Sequence, residues 1–198
     1  MSDSAVTRRS KAKSDRRGQL IAAAERLVAE RGYLAVRLED IGSAVGISGP
    51  AIYRHFPNKE ALLVELLVGI STRLLAGAQE VIAADESPAD TLNSLVDFHL
   101  DFVFGESDLI RIQDRDLAHL PDAARRQVRR AQRQYVEIWV TVLTRLNPDL
   151  AEEDARVMAH AAFGLLNSTP YSVRPAAPKT HSRAVLRRMT LAALTSSD

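Results

Sequence analysis

Between Arg37 and Lys59 the chain reads RLEDIGSAVGISGPAIYRHFPNK, and no other stretch restricts its possible folds so tightly. Leu38, Ile41 and Val45 fall at i, i+3 and i+7, which puts them on one face of a short helix that Gly46 ends. Ser48 then stands where an N-cap belongs, and Pro50 sits in the first turn of a second helix, where its missing N–H had no partner to lose. Ile52 and Phe56, four apart, turn that second helix inward. Two short helices about a tight Gly-containing turn make a helix-turn-helix, here over about residues 39–58. Ser48, Gly49, Pro50, Tyr53, Arg54 and His55 are left outward: small groups at the helix start, then hydrogen-bond donors and a cation. That set lets a helix N-terminus approach base edges in a major groove, although periodicity alone also fits helix pairs that never touch DNA.

The charge is unevenly placed, which favours a local electrostatic footprint over a chain that binds polyanions along its whole surface. Net charge over the 198 residues is only +1, but residues 1–60 hold 11 Lys/Arg against 7 Asp/Glu, leaving +4 there and −3 over the rest. The basic part is the part that would face phosphate. Chain length allows one large domain or a small one followed by a larger one. There is no cysteine, hence no disulfide or thiolate metal site, as suits a reducing cytoplasm. The first twenty residues are polar and basic without an apolar segment, so no signal peptide is expected. The longest apolar run, Ala61 to Ile70, is interrupted by Glu65 and falls short of the roughly 18 residues that span a bilayer. A soluble cytoplasmic protein with no membrane partner is expected.

In chain order, residues 1–15 carry Arg8, Arg9, Lys11 and Lys13 with almost nothing apolar, and read as a disordered tail, either solvated or a basic arm for an adjacent minor groove. A helix from Arg16 to Arg31 stops at Gly32; Arg16 and Arg17 at its start are either solvated or phosphate contacts. Asn58 caps the next helix, Lys59 to about Ala84. Ser87-Pro88-Ala89-Asp90 opens another, ended by Gly105, and a further one covers about Ser107 to His119. Pro121 opens the longest helix of the second part, stopped by Asn147-Pro148. Asp149 with Glu152 has the form of a capping box for a helix reaching about Ser168. Thr169 to Pro178, with three prolines, reads as a loop, and about His181 to Thr195 as the last helix. With no alternating strand and no internal repeat, the fold class is all-α, about nine helices.

The run RGYLAVRLEDIGSAVGISGPAIYRHFPNKEALL, with its Gly-Tyr pair, Asp-Ile-Gly, Val-Gly-Ile-Ser and Ile-Tyr-x-His-Phe-x-x-Lys-Glu, resembles the N-terminal domain of the TetR-type transcriptional repressors over roughly residues 16–76. The resemblance implies a three-helix helix-turn-helix DNA-binding domain at 16–76, and an effector-binding and dimerisation domain at 77–198. It implies a homodimeric repressor on a palindromic double-stranded DNA operator, released by a small-molecule effector that tilts the 59–84 helix. It also puts Tyr33 in the small domain's core. In such a head Ser48, Gly49 and Pro50 meet base edges, Arg54 can make a bidentate contact to guanine, and Arg37, Tyr53, His55 and Lys59 hold phosphates. Two departures leave the operator sequence open: Val36-Arg37 stands where the family usually has a capping Thr or Ser, and Gly49-Pro50 where it often has Lys-Gly.

The helix to about Ser168 is apolar or small on most faces, which asks for a neighbour beyond its own chain. A two-fold dimer through helices 150–168 and 181–195 supplies one; a single-chain core helix is the alternative. Phe98, Phe102, Ile110, Trp139, Leu143 and Phe163 are candidates either for core packing or for lining an effector pocket, with Arg111 and Asn167 as polar members. Arg111 opens a series continuing through Arg115, Arg125, Arg126, Arg129, Arg130 and Arg133, read as a solvated face or as receivers of an anionic headgroup. The segments HLPDAARRQVRRAQRQYVEIW and FGLLNSTPYS are similar to those of TetR-type regulators of lipid and acyl-CoA metabolism, implying a fatty acyl or acyl-CoA effector. An enzyme is not expected: His99 and His119 with Asp97, Asp101, Asp114 and Asp116 match no HExxH, GxSxG, P-loop or dinucleotide fingerprint, and a His on an amphipathic helix is usually a satisfied core residue. No cofactor and no metal are implied. A DNA-binding protein without an effector is the remaining alternative.

Overall fold

The computed structural model describes residues 3–84, 87–172 and 178–196, with side chains from residue 14 onward except that of residue 170. Every regular element among them is helical: α1 (Asp3–Arg31), α2 (Leu38–Ala44), α3 (Gly49–Ile52), α4 (Lys59–Ala83), α5 (Pro88–Gly105), α6 (Ser107–Asp116), a 3-10 turn at Leu117–His119, α7 (Asp122–Leu146), α8 (Glu152–Asn167), α9 (Thr169–Ser172) and α10 (Lys179–Thr195). They divide into two compact units, Met1–Leu67 with Arg111–Arg125, and Val68–Ile110 with Arg126–Asp198. The division falls before the expected 76/77 boundary, and the first unit takes in a segment from the second half of the chain.

In the first unit, Leu20, Ala24, Leu27 and Val28 of α1, Leu38 and Ile41 of α2, Ile52 of α3, Phe56, and Leu62, Leu63, Leu66 and Leu67 of α4 are buried. The two glycine stops work as left-handed turns: Gly32 has φ +90 and Gly46 φ +73, conformations that an L side chain rarely adopts. Arg37 has no capping side chain, yet α2 is not left open, because the Asp40 carboxylate accepts the Arg37 backbone N–H at 2.9 Å. Asn58 caps α4 as expected, its Oδ1 accepting the Ala61 N–H at 2.7 Å.

In the second unit α5, α7, α8 and α10 pack around Leu95, Val96, Leu100, Trp139, Leu143, Ala159, Leu166 and Leu194. Ser87 caps α5 through the Asp90 N–H at 3.2 Å and donates its own hydroxyl to the Asp90 carboxylate at 2.6 Å. Gly77 is where α4 meets the Phe98 ring, which occupies the space a Cβ would need. Arg183 and Arg187 of α10 both reach Asp97 of α5, at 3.2 and 3.0 Å, and so tie those two helices together.

Five local expectations differ from what forms. The helix expected from Arg16 starts at Asp3, so residues 3–15 of the anticipated disordered tail are helical; Ala5, Arg8, Arg9, Lys11 and Ala12 are good helix formers, and lengthening an anchored helix needs no new nucleus. Met1 and Ser2 lie outside the described residues. The second helix of the helix-turn-helix closes at Ile52 rather than Phe56, its path continued by tighter bonds from Arg54 N–H to Ala51 and His55 N–H to Ile52. Asp149 caps nothing: Asn147 takes the Asp149 N–H at 3.2 Å in a turn, and Ala151 becomes the N-cap, with Glu152, Glu153 and Asp154 answering the positive end of α8. Thr169–Ser172, read as loop, is the single turn α9, closed by the Ser172 N–H on Ser168 O at 2.9 Å. Finally, α4 is long and apolar enough by composition to cross a membrane, with a mean hydropathy of 1.7 over 18 residues, although the apolar run was ended at Ile70. Of its leucines, Leu62, Leu63, Leu66 and Leu67 are buried, and Leu74 and Leu75 are half-buried.

Candidate nucleic-acid interface and effector core

The recognition turn rests on the contact between α2 and α3. The approach is close at Gly42, where a Cβ would lie in van der Waals contact with Ile47 Cγ1 at 3.4 Å and Ile52 Cβ at 3.6 Å. With Ile52 and Phe56 locked inward, Ser48, Pro50, Tyr53 and Arg54 are exposed, while Gly49 and His55 are half-buried. Ser48 has the extended backbone of an N-cap, φ −67 and ψ 151, and its hydroxyl makes no cap bond. The Tyr53 hydroxyl donates to Glu39 Oε1 at 2.6 Å, which holds the Glu39 carboxyl below its ordinary range and the Tyr53 phenol above its own. The Arg54 side chain makes no hydrogen bond or ion pair among the described residues.

The surrounding cations differ from one another in ways their spacing does not reveal. Lys59 donates to three carbonyls, Tyr33 at 2.9 Å, Val36 at 3.1 Å and Leu34 at 3.3 Å, and lies 4.5 Å from the centre of the Tyr33 ring. All three of its N–H bonds are thereby engaged in holding the loop before α2, a different task from the phosphate contact expected of it. Arg17 makes a two-pronged pair with Glu65, donates to His55 O at 2.7 Å and stacks 4.5 Å from the Phe56 ring. Arg16 donates to Val45 O at 3.1 Å. Arg115, counted in the arginine series, caps the end of α1: it donates to Val28 O and to Ala29 O at 3.3 Å, and is held by Asp116, which is 3% exposed, at 3.0 Å. Apart from Asp116, which adjoins Arg115, the partners are carbonyls or carboxylates 23 to 87 residues away, so spacing along the chain gave no sign of these contacts.

The other candidate residues centre on a side chain outside the expected pocket set. His99 is buried; its Nδ1 lies 2.8 Å from the Tyr135 hydroxyl and its Nε2 3.1 Å from Asn167 Oδ1. The rings of Phe163, Tyr135, Phe102 and Trp139 surround it at 5.3, 5.7, 5.8 and 6.0 Å. Burial lowers the His99 pKa to about 4, the Asn167 bond opposing the shift, and burial raises the Tyr135 phenol far above its usual value, opposed by Trp139. Trp139, Leu143 and Ile110 are core residues, whereas Phe98, Phe102 and Phe163 are half-buried against that core. Arg111 falls in the first unit. Beyond Arg115 and the Asp122-paired Arg125, Arg126, Arg129, Arg130 and Arg133 form an exposed face of α7. Among the described residues no group of three or more His, Cys, Asp or Glu could hold a metal ion.

A helix-turn-helix with an exposed recognition turn, followed by a helical unit with an aromatic core around a polar centre, defines a DNA-binding regulator. Residues 20–66 match the family model "Bacterial regulatory proteins, tetR family", and residues 85–176 that of the "Tetracyclin repressor-like, C-terminal domain". The transcriptional regulator CymR of Pseudomonas putida is 34% identical over 155 residues, covering 75% of this chain and 76% of its own. The transcriptional repressor KstR2 of Rhodococcus jostii is 30% identical over 132 residues, covering 66% of this chain and 65% of its own length. The solved structure of the ketosteroid regulator KstR2 of Mycobacterium tuberculosis superposes with a TM-score of 0.79 over 90% of this chain and 93% of that one, at 24% identity. The chain belongs to the TetR family of DNA-binding transcriptional regulators.

Proposed function

We propose that the protein is a homodimeric repressor that reads a palindromic operator and is released by an apolar effector of fatty acyl or acyl-CoA type. The observation that carries the DNA part is the recognition turn, where Arg54 stands exposed beyond Ser48, Gly49 and Pro50 while the neighbouring Arg17 and Lys59 are engaged within the head. Ser48, Gly49 and Pro50 approach base edges and Arg54 pairs with guanine. Arg37 holds phosphate, joined by Tyr53 once its hydroxyl leaves Glu39 and by the edge of His55. Lys59 positions the head from within.

The dimer is made by α8 and α10. The buried faces of these helices, Ala155, Ala159, Ala162 and Leu166 on one and Leu186, Thr190 and Leu194 on the other, are already covered within the chain. Their outer faces still expose Val157 at 68% and Met189 at 48%, beside Ala161, Gly164 and Ala192. Small and apolar residues of this kind suit a two-fold helix pairing that brings two recognition turns to half-sites one helical turn of DNA apart, about 34–36 Å. The effector enters the half-buried phenylalanines around His99, and α4, continuous through residue 67, carries the change toward the head. The site of action is the compartment that holds the operator DNA. Gel shift of the protein's own promoter region, titrated with a panel of acyl-CoA thioesters, tests this reading: a shift that some member reverses is expected. Absence of any shift would refute DNA reading, and a shift that no member reverses would refute the effector.

A further inference from the structure

The geometry points to a carbonyl-selective anchor, and we infer that Asn167, oriented by the His99–Tyr135 pair, hydrogen-bonds an uncharged ketone, ester or thioester oxygen of the effector and discriminates against a free carboxylate. The inference rests on the effector reading above and narrows its ligand class. Asn167 Oδ1 can only accept, so the 3.1 Å contact makes His99 Nε2 the donor. The neutral imidazole then presents Nδ1 as an acceptor, and the Tyr135 hydroxyl donates to it at 2.8 Å. Every polar atom of the imidazole is thereby satisfied within the protein, and its tautomer is set. The chain of bonds ends at the Asn167 amide nitrogen, whose two N–H groups have no partner among the described residues. An amide in that position offers donors and no charge.

The surroundings select for the same chemistry. Phe102, Tyr135, Trp139 and Phe163 enclose the imidazole, and no member of the cluster carries a charge at neutral pH. An ionised carboxylate moved into such surroundings loses its hydration without gaining a counter-ion, a far larger penalty than a carbonyl oxygen meets when it finds one N–H donor. Phe102, Phe163 and Asn167 are each only half-buried, so the cluster that surrounds His99 is not fully closed to solvent.

The chain has a single tryptophan, Trp139, 5.0 Å from the Phe163 ring, so its emission reports entry of a ligand. The test titrates full-length protein at pH 7.5 with three probes of similar chain length, 2-undecanone, methyl decanoate and sodium decanoate, and repeats the titration with Asn167→Ala and His99→Phe. The ketone and the ester are expected to bind at least about tenfold more tightly than decanoate, and both variants to lose most of that preference. Asn167→Ala changes a half-buried side chain and keeps the test open if His99→Phe does not fold. Decanoate binding as tightly as the ketone, or a preference unchanged in Asn167→Ala, overturns the anchor while leaving an apolar effector site standing. If none of the three probes alters Trp139 emission, the effector reading falls and the anchor with it.

Discussion

Replacing Lys59 by methionine separates two roles that one cation can play. The ammonium is hydrogen-bonded to the carbonyls of Tyr33, Val36 and Leu34, at 2.9, 3.1 and 3.3 Å, and sits over the Tyr33 ring. Hydrogen bonds involving a charged group contribute about 1.5–3 kcal/mol each when well sheltered. Lys59 is only half-buried, one of its bonds is long, and water can reach the carbonyls it leaves, so the contributions add to well below the simple total. Methionine keeps the aliphatic stem against Tyr33 and removes only the donors. A loss of about 2–3 kcal/mol is expected, which for a chain of this size lowers Tm by roughly 4–12 °C. Calorimetry of the DNA-free protein measures it. A phosphate contact would behave in the opposite way, leaving Tm unchanged while lowering operator affinity and flattening its salt dependence by about one charge. If Lys59→Met melts within 1 °C of the wild type and shows that flattened slope, the clamp is wrong.

Arg54→Ala should relax preference at one base pair of each half-site by about 1–3 kcal/mol, measured by competition binding across operator variants; a uniform loss over all variants would make Arg54 a phosphate contact. His99 has its folded pKa lowered to about 4 against an unfolded value of about 6.5, so the unfolded chain binds more protons between those values. Stability is therefore full above about pH 6.5 and falls as the pH drops toward 4, by about 3 kcal/mol, and urea midpoints in His99→Phe should lose that part of the dependence. The double change Val157→Glu with Met189→Glu places charge on the outer faces of α8 and α10. Light scattering should then give monomers with the helical circular dichroism retained, and a persistent dimer would move the interface elsewhere.

Much of the architecture was legible because its signals are local. Gly32 and Gly46 could be read as stops since a helix end in the left-handed region leaves few other residues possible, and Ser87-Pro88-Asp90 since a cap, a ring-fixed φ and a first-turn acid act within four residues. The local signal at Asp149 misled because Asn147, two residues before it, made a competing turn. Long-range polar contacts were illegible for a general reason. Arg17, Lys59 and Arg115 carry the same charge as an idle surface cation, and what assigns them is a set of carbonyls and carboxylates brought near by packing. His99 shows the intermediate case: a satisfied core histidine is a sound expectation on an amphipathic helix, but Tyr135 and Asn167, 36 and 68 residues further along, cannot be named from spacing.

Because Arg115 closes the end of α1 from 86 residues downstream, the head does not finish with its own sequence. During synthesis its helices leave the ribosome several seconds before the residue that caps the first of them, at ordinary rates of about 5–20 residues per second. A hybrid regulator spliced at residue 67 would inherit the recognition turn without that closure. Transplanting this reading head onto another body therefore means carrying the Arg115–Asp116 pair with it.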